Sequence, residues 1–182
     1  MFFSSKADDV QSYSKTIILP TCGRAEVLCA FLAVYLMLMK IVEAPFGSDL
    51  YRAAVDLRYE ILRKPLRLEY TKEQLAEEAT DVHVVAVEDG KVIAAILLRK
   101  ESDKVLKMRQ FAVAKDRQGE GIGSEMVTYC EDYALENGFE TIVLHARETA
   151  VRFYEQLEYE KVGERFTEVT IPHFKMMKQL VD

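Results

Sequence analysis

The chain has 182 residues, 49% of them apolar, and carries 24 basic against 30 acidic side chains for a net charge of −6. That length suits one domain with a sizeable core. The acidic balance argues against nucleic acid as a partner, since that needs a basic surface. Three scattered cysteines, Cys22, Cys29 and Cys130, give neither metal-ligand spacing nor a disulfide framework. A reducing cytoplasm and no bound metal are therefore expected.

Residues 1–26 are polar and aperiodic, and residues 27–39 are an unbroken apolar run between Glu26 and Lys40. The run is shorter than the ~20 residues of a membrane span. A signal peptide is disfavoured by the late start, the acidic residues ahead of the run and the lack of an A-x-A site after it. The expectation is an N-terminal extension over 1–38, with Met37 or Met39 as alternative starts, and a folded domain over 39–182. An anchor helix in a membrane-bound interaction protein is the competing reading.

The first strand is expected at Met39–Glu43. Ser48 reads as a helix N-cap. After it Leu50, Ala53, Ala54, Leu57, Ile61 and Leu62 recur at helical spacing, with Arg58 among the charges assigned to other faces, and Pro65 ends the helix. Thr71 and Gln74 form a capping-box pattern for a short helix through Ala79. Strands Val82–Glu88 and Lys91–Lys100 flank an Asp89-Gly90 hairpin turn, and Val105–Val113 follows a second turn, making an antiparallel meander. Ile122, Met126, Val127, Cys130 and Ala134 give the next helix its apolar face, and Asn137-Gly138 closes it. Residues 141–146 form a strand reached by that crossover and so parallel to its neighbour. A helix over 149–156 and strands over 159–169 and 174–180 complete a mixed, mostly antiparallel sheet flanked by helices.

The segment from Arg117 to Ser124, RQGEGIGS, stands between a strand and a helix. Free backbone N–H groups and the helix dipole at such a junction attract phosphate, and glycines let the anion approach the backbone. A P-loop would need Lys after Gly123. A dinucleotide fingerprint would need Gly at Ser124 and an acid at the tip of the next strand, which reads His145-Ala146-Arg147. Gln118-x-x-Gly121-x-Gly123 fits a third pattern, R/Q-x-x-G-x-G/A.

That pattern resembles motif A of the GNAT superfamily of acyl-CoA-dependent N-acetyltransferases. Ala150 to Tyr159, AVRFYEQLEY, looks like the family's A-x-x-F-Y-x-x-x-G-[FY] segment, at the family's spacing. Ile171-Pro172-His173-Phe174-Lys175-Met176 is similar to the I-P-H-x-x-M ending of a poorly characterised bacterial subgroup. The chain departs from the pattern at Glu158, where the family has Gly. The resemblance implies a GNAT fold of class α/β (α+β), with splayed strands in the central sheet and a catalytic domain over 39–182.

It also implies transfer of an acetyl group from acetyl-CoA to a primary amine, in a small molecule or a peptide, by direct attack in a ternary complex. The pyrophosphate would be held by Gln118, Gly119, Glu120, Gly121, Ile122, Gly123 and Ser124, with charge from Arg117. Phe111, Ala112, Val113 and Phe153 would flank the pantetheine arm. A backbone N–H of Ala112 or Val113 would face the developing oxyanion. Tyr154 would protonate the leaving thiolate, against a reading as core aromatic. By residue type His145, His173 and His83 are candidates for the general base, with His83 expected to be structural and bound water as an alternative. Glu60 and Glu168 could wall a cationic acceptor, against ordinary solvation. A non-catalytic acyl-CoA sensor is the other open reading, and a homodimer is left open.

Overall fold

The computed structural model describes residues 39–181. The expectations for an extension or anchor over 1–38 lie outside the described residues.

Eight strands form one sheet: β1 (Met39–Glu43), β2 (Val82–Glu88), β3 (Lys91–Lys100), β4 (Val105–Val113), β5 (Thr141–Arg147), β6 (Glu160–Lys161), β7 (Phe166–Glu168) and β8 (Ile171–Gln179). Their order is β1-β2-β3-β4-β5-β8-β6, with β7 also on β8. Every pair is antiparallel except β4 and β5, which the crossover helix α3 (Ile122–Glu136) joins. Asp89 and Gly90 both take left-handed backbone, φ 48° and 75°. That is the turn whose twist matches a two-residue hairpin.

The sheet is covered on both faces, which explains the long apolar runs of β2 and β3. Val84, Ala86, Ile96 and Leu98 pack beneath Met126, Val127, Cys130 and Ala134 of α3. The alternate residues Val85 and Ala95 pack against Ala54 of α1 (Asp49–Arg58). Successive strand residues point to opposite faces, so α1 and α3 lie on opposite sides of the sheet. Met126 is fully buried, and cutting it to Ala costs about 2–5 kcal/mol. No helix among the described residues is long and apolar enough to cross a membrane.

Several elements differ from the sequence reading. Ser48 caps α1 as expected, its Oγ accepting from Tyr51 N at 3.1 Å, but regular helix stops at Arg58. The chain widens into a π-type turn over Tyr59–Arg63 and a 3-10 turn over Lys64–Leu66. Pro65 has no N–H and its ring would crowd the carbonyl four residues back, so the preceding turns loosen. The capping box on α2 (Lys72–Ala76) is present, yet the helix ends three residues before Ala79. Glu78 instead turns inward to Arg58, 2.8 Å away. The strand expected over 159–169 is broken at Gly163, φ 77°, into β6 and β7. Val169 and Thr170, φ 48° and 64°, then make a tight turn into β8, which starts at Ile171. Glu158 adopts the left-handed backbone (φ 67°) that glycine favours, at a cost of about 1–2 kcal/mol.

Candidate active site

β4 and β5 run in register from Val105 opposite Thr141 to Met108 opposite Leu144 and then part. Beyond that point β4 continues to Val113 and β5 to Arg147. The gap is a cleft of about 930 Å³. A bulge in β4 coincides with the parting. Ala112 pairs with Ala95 and Arg109 with Leu97, so Gln110 and Phe111 together oppose Ile96. An extra residue bends the strand and raises its twist. Gln110 has φ 49°, a conformation that side chains other than glycine rarely adopt.

A buried polar cluster holds Gln110 there. Arg58 is fully buried and forms a two-point ion pair with Glu78, at 2.8 and 3.2 Å. Gln110 Nε2 donates to Glu78 at 2.7 Å, and Gln110 Oε1 accepts from Arg58 (3.2 Å) and from the Tyr70 hydroxyl (2.7 Å). The amide orientation follows from this pattern, since a carboxylate only accepts and a guanidinium only donates. Sequence reasoning missed this cluster and grouped Arg58 with charges lying mostly off the apolar face. Its signal was there: Arg58 lies four residues after the buried Ala54, on the covered stripe of α1. Glu78 and Gln110 carry no local signal, being 20 and 52 residues away from Arg58.

At the far end of β4 the chain turns into α3. Gly119 and Gly121 have φ 86° and 87°, and a Cβ at either would meet nothing within 4 Å. Gly121 is the N-cap of α3 and offers no side chain to the helix amides. The N–H groups that head a helix have no turn before them to accept their protons, so this end suits an anion. The Ser124 amide is already used, donating to Gly121 O at 2.9 Å. That moves the expected donors upstream, to Gly121, Ile122 and Gly123. Gly123 is needed for a close approach: a Cβ there would lie 3.2 Å from the Phe153 ring.

Of the residues expected at a cofactor, Phe111, Ala112, Val113, Gln118 and Phe153 line the cleft. So do Gly119, Gly121, Gly123, Ser124 and Arg117. The side chains of Ile122 and Glu120 do not. Ile122 is buried under the sheet, and Glu120 accepts from Arg117 Nε at 2.8 Å. Arg117 also pairs with Glu88. Two carboxylates thus share its charge and raise its pKa, which makes it a buttress of the loop as much as a ligand group. Gln118 Nε2 donates to Val113 O at 3.0 Å and ties the loop to the strand end.

Tyr154 is on α4 (Val151–Glu155) and lines the cleft, with its ring packed edge-on to Phe153 at 5.0 Å and Tyr159 at 5.7 Å. Burial, with a smaller push from Cys130, raises its pKa well above the usual phenol value. It therefore keeps its proton at neutral pH. His145 and His173 both line the cleft. His145 Nδ1 contacts Glu168 Oε2 at 2.7 Å, and His173 Nδ1 contacts Ile171 O at 2.8 Å. A carbonyl and an ionised carboxylate can only accept, so each Nδ1 is the donor, and no hydrogen bond among the described residues uses either Nε2. His83 is not in the cleft. It is buried, its Nε2 lies 3.0 Å from Glu78 O, and its ring packs edge-on to Tyr51 at 4.8 Å. Glu60 is on the surface with Lys64, 2.7 Å away, and walls nothing.

The model of the acetyltransferase (GNAT) family matches residues 47–159. The chain belongs to that family. The uncharacterized N-acetyltransferase YjcF of Bacillus subtilis (strain 168) is 28% identical over 141 residues, 77% of this chain and 99% of that protein. A crystal structure from Lactobacillus plantarum, itself assigned to the N-acetyltransferases, matches at TM-score 0.70 and 26% identity over 79% of this chain and 99% of that one. An aminoglycoside 6'-N-acetyltransferase in complex with coenzyme A shares the fold at TM-score 0.67 and 19% identity, over 79% of this chain and 98% of that one.

Proposed function

We propose that this protein is an N-acetyltransferase that moves an acetyl group from acetyl-CoA to a primary amine by direct attack in a ternary complex. The observation that carries the reading is the parting of β4 from β5 beyond Met108 and Leu144. It opens one cleft between a bare helix N-cap at Gly121 and the two histidines with open Nε2 atoms. The family and its coenzyme A complex make acetyl-CoA the natural occupant, and the open cradle at Gly119 and Gly121 fits its pyrophosphate. Acetyl-CoA supplies an acyl group on a good leaving thiolate.

The chain's own residues would then act as follows. The amides of Gly121, Ile122 and Gly123 hold the phosphates. The unpaired edge of β4 from Phe111 to Val113 binds the pantetheine amides, and an N–H of Ala112 or Val113 faces the carbonyl oxygen. His145 removes the amine proton at Nε2, with Glu168 fixing its tautomer and steadying the imidazolium. His173 is the second candidate. Tyr154 donates its retained proton to the departing sulfur. Cys130 lies on the buried face of α3, and burial pushes its thiol up. It does not line the cleft, which fits direct attack rather than an acyl-cysteine.

The same proposal takes 39–182 as the catalytic domain with 1–38 outside it. It sets the protein in the cytoplasm on the sparse, unpatterned cysteines, and in the subgroup with the I-P-H-x-x-M ending on residues 171–176. The test is an acetyl-CoA-dependent screen of amines with free-thiol detection. Amine-dependent thiol release supports the reading. Tight acetyl-CoA binding with no release for any amine turns it into the sensor reading.

A further inference from the structure

Two guanidiniums in the cleft have no carboxylate among the described residues. Most charges lining the cleft are matched. Arg99 chelates Asp81 at 2.7 and 2.8 Å, Lys107 pairs with Glu101 at 3.1 Å, and Glu168 pairs with His145. Arg63 and Arg147 differ. Arg63 rests over the Tyr70 ring, 4.7 Å from its centroid. Arg147 donates to the Leu62 carbonyl at 3.3 Å.

They come from separate elements, the π-type turn after α1 and the tip of β5, yet converge on one wall. Both are half-buried. Burial, and then the Arg63 charge, push the Arg147 pKa down. A third cation, Arg109, also lines the cleft. The buried Nη1 of Arg109 has no hydrogen-bond partner, and its ion-pair contact to Asp81 Oδ2 is a loose 3.7 Å. Like charges partly withdrawn from water repel one another unless an anion comes between them.

This wall is not the phosphate cradle. The glycine loop opens α3, on one face of the sheet. Leu62 and Arg63 follow α1, on the other face. An anion held here would belong to the second substrate.

We infer that Arg63 and Arg147 form an anion subsite for the acceptor, so that the amine substrate carries a carboxylate or a phosphate on the same molecule. The inference rests on the acetyltransferase reading and names its substrate class. A planar guanidinium fork suits either anion in two-point geometry. The same wall repels polyamines and polycationic amino sugars.

The test uses the full chain and matched acceptors: amino acids against their carboxamides, aminoalkyl phosphates against the amino alcohols, and spermidine as a polycation. The anionic member of a pair should exceed its neutral twin in kcat/KM by about ten- to a hundred-fold, the range of one charge-assisted hydrogen bond. Which pair shows the larger ratio tells carboxylate from phosphate. Arg63→Gln and Arg147→Gln should each lower that ratio towards one through acceptor KM, with acetyl-CoA affinity by calorimetry unchanged within about two-fold. The wild-type ratio should also fall as salt rises, a readout that needs no variant to fold. Neutral twins or spermidine used equally well, or a ratio that survives both substitutions, would overturn the inference. If neutral amines or spermidine are acetylated and no anionic amine is, the inference fails and the transferase reading stands. If acetyl-CoA binds and no amine is acetylated, both fail in favour of the sensor reading. If acetyl-CoA does not bind, the transferase reading itself fails.

Discussion

Tyr154 and His145 carry the proposed chemistry as single atoms, and each can be tested apart from packing. No described hydrogen bond uses the Tyr154 hydroxyl, and its ring is held by Phe153 and Tyr159. Tyr154→Phe should therefore leave the thermal midpoint nearly unchanged. Turnover should fall by about ten- to ten-thousand-fold, the span of general acid catalysis, with little change in the KM for acetyl-CoA. Wild-type turnover, with chemistry shown to limit the rate, would return Tyr154 to the core. The two histidines separate in the same way. His145→Gln should lower turnover by about a hundred- to ten-thousand-fold at constant acetyl-CoA affinity. His173→Gln should mainly lower stability, because it loses a half-buried bond to Ile171 O, about 1 kcal/mol. The reverse ranking would hand the base role to His173.

At the scale of elements, the bulge of β4 and the clamp beneath it decide where the cleft opens. Gln110→Leu keeps the volume but strands Glu78 and Tyr70 without their amide partner. The expected cost is about 1–3 kcal/mol for the buried groups left unpaired. A loss of turnover larger than the loss of acetyl-CoA affinity should accompany it, as the strand edge shifts by a fraction of an ångström. Equal stability and turnover would show that the clamp does not set the bulge. What could be read from the sequence follows the same division. β1 to β4 match their expected bounds, because short apolar runs bounded by turn residues are a local signal. The glycine loop and Tyr154 were legible as motifs. Arg58, Glu78 and Gln110 were not, because they meet only through the tertiary fold. Arg63 and Arg147 stayed unread for the same reason. The π-type turn and the Gly163 break went unseen because periodicity does not report how a helix or strand loosens near its end.

For the whole molecule, the buried cluster links stability to pH. Burial, helped by the Arg58 charge, lowers the His83 pKa against a backbone hydrogen bond that raises it. The folded state keeps the ring neutral while the unfolded chain takes up a proton below about 6.5, the ordinary histidine value. Stability is therefore full above pH 6.5 and declines as pH falls towards the depressed folded value. His83→Gln should flatten that part of a pH-stability curve measured by urea unfolding. An unchanged slope would assign the decline to other groups. The central claim is that the glycine loop at the head of α3 binds the pyrophosphate of acetyl-CoA. Its most direct test is calorimetry of acetyl-CoA binding to the full-length protein and to Gly121→Asp. The position is open to solvent, with no atom within 4 Å of an added Cβ. The variant should fold, losing about 1–2 kcal/mol to the left-handed backbone. The account predicts clear binding by the wild type and a loss of a hundred-fold or more in the variant, on the order of a broken charge-assisted network. Unchanged affinity in a folded Gly121→Asp protein would contradict it.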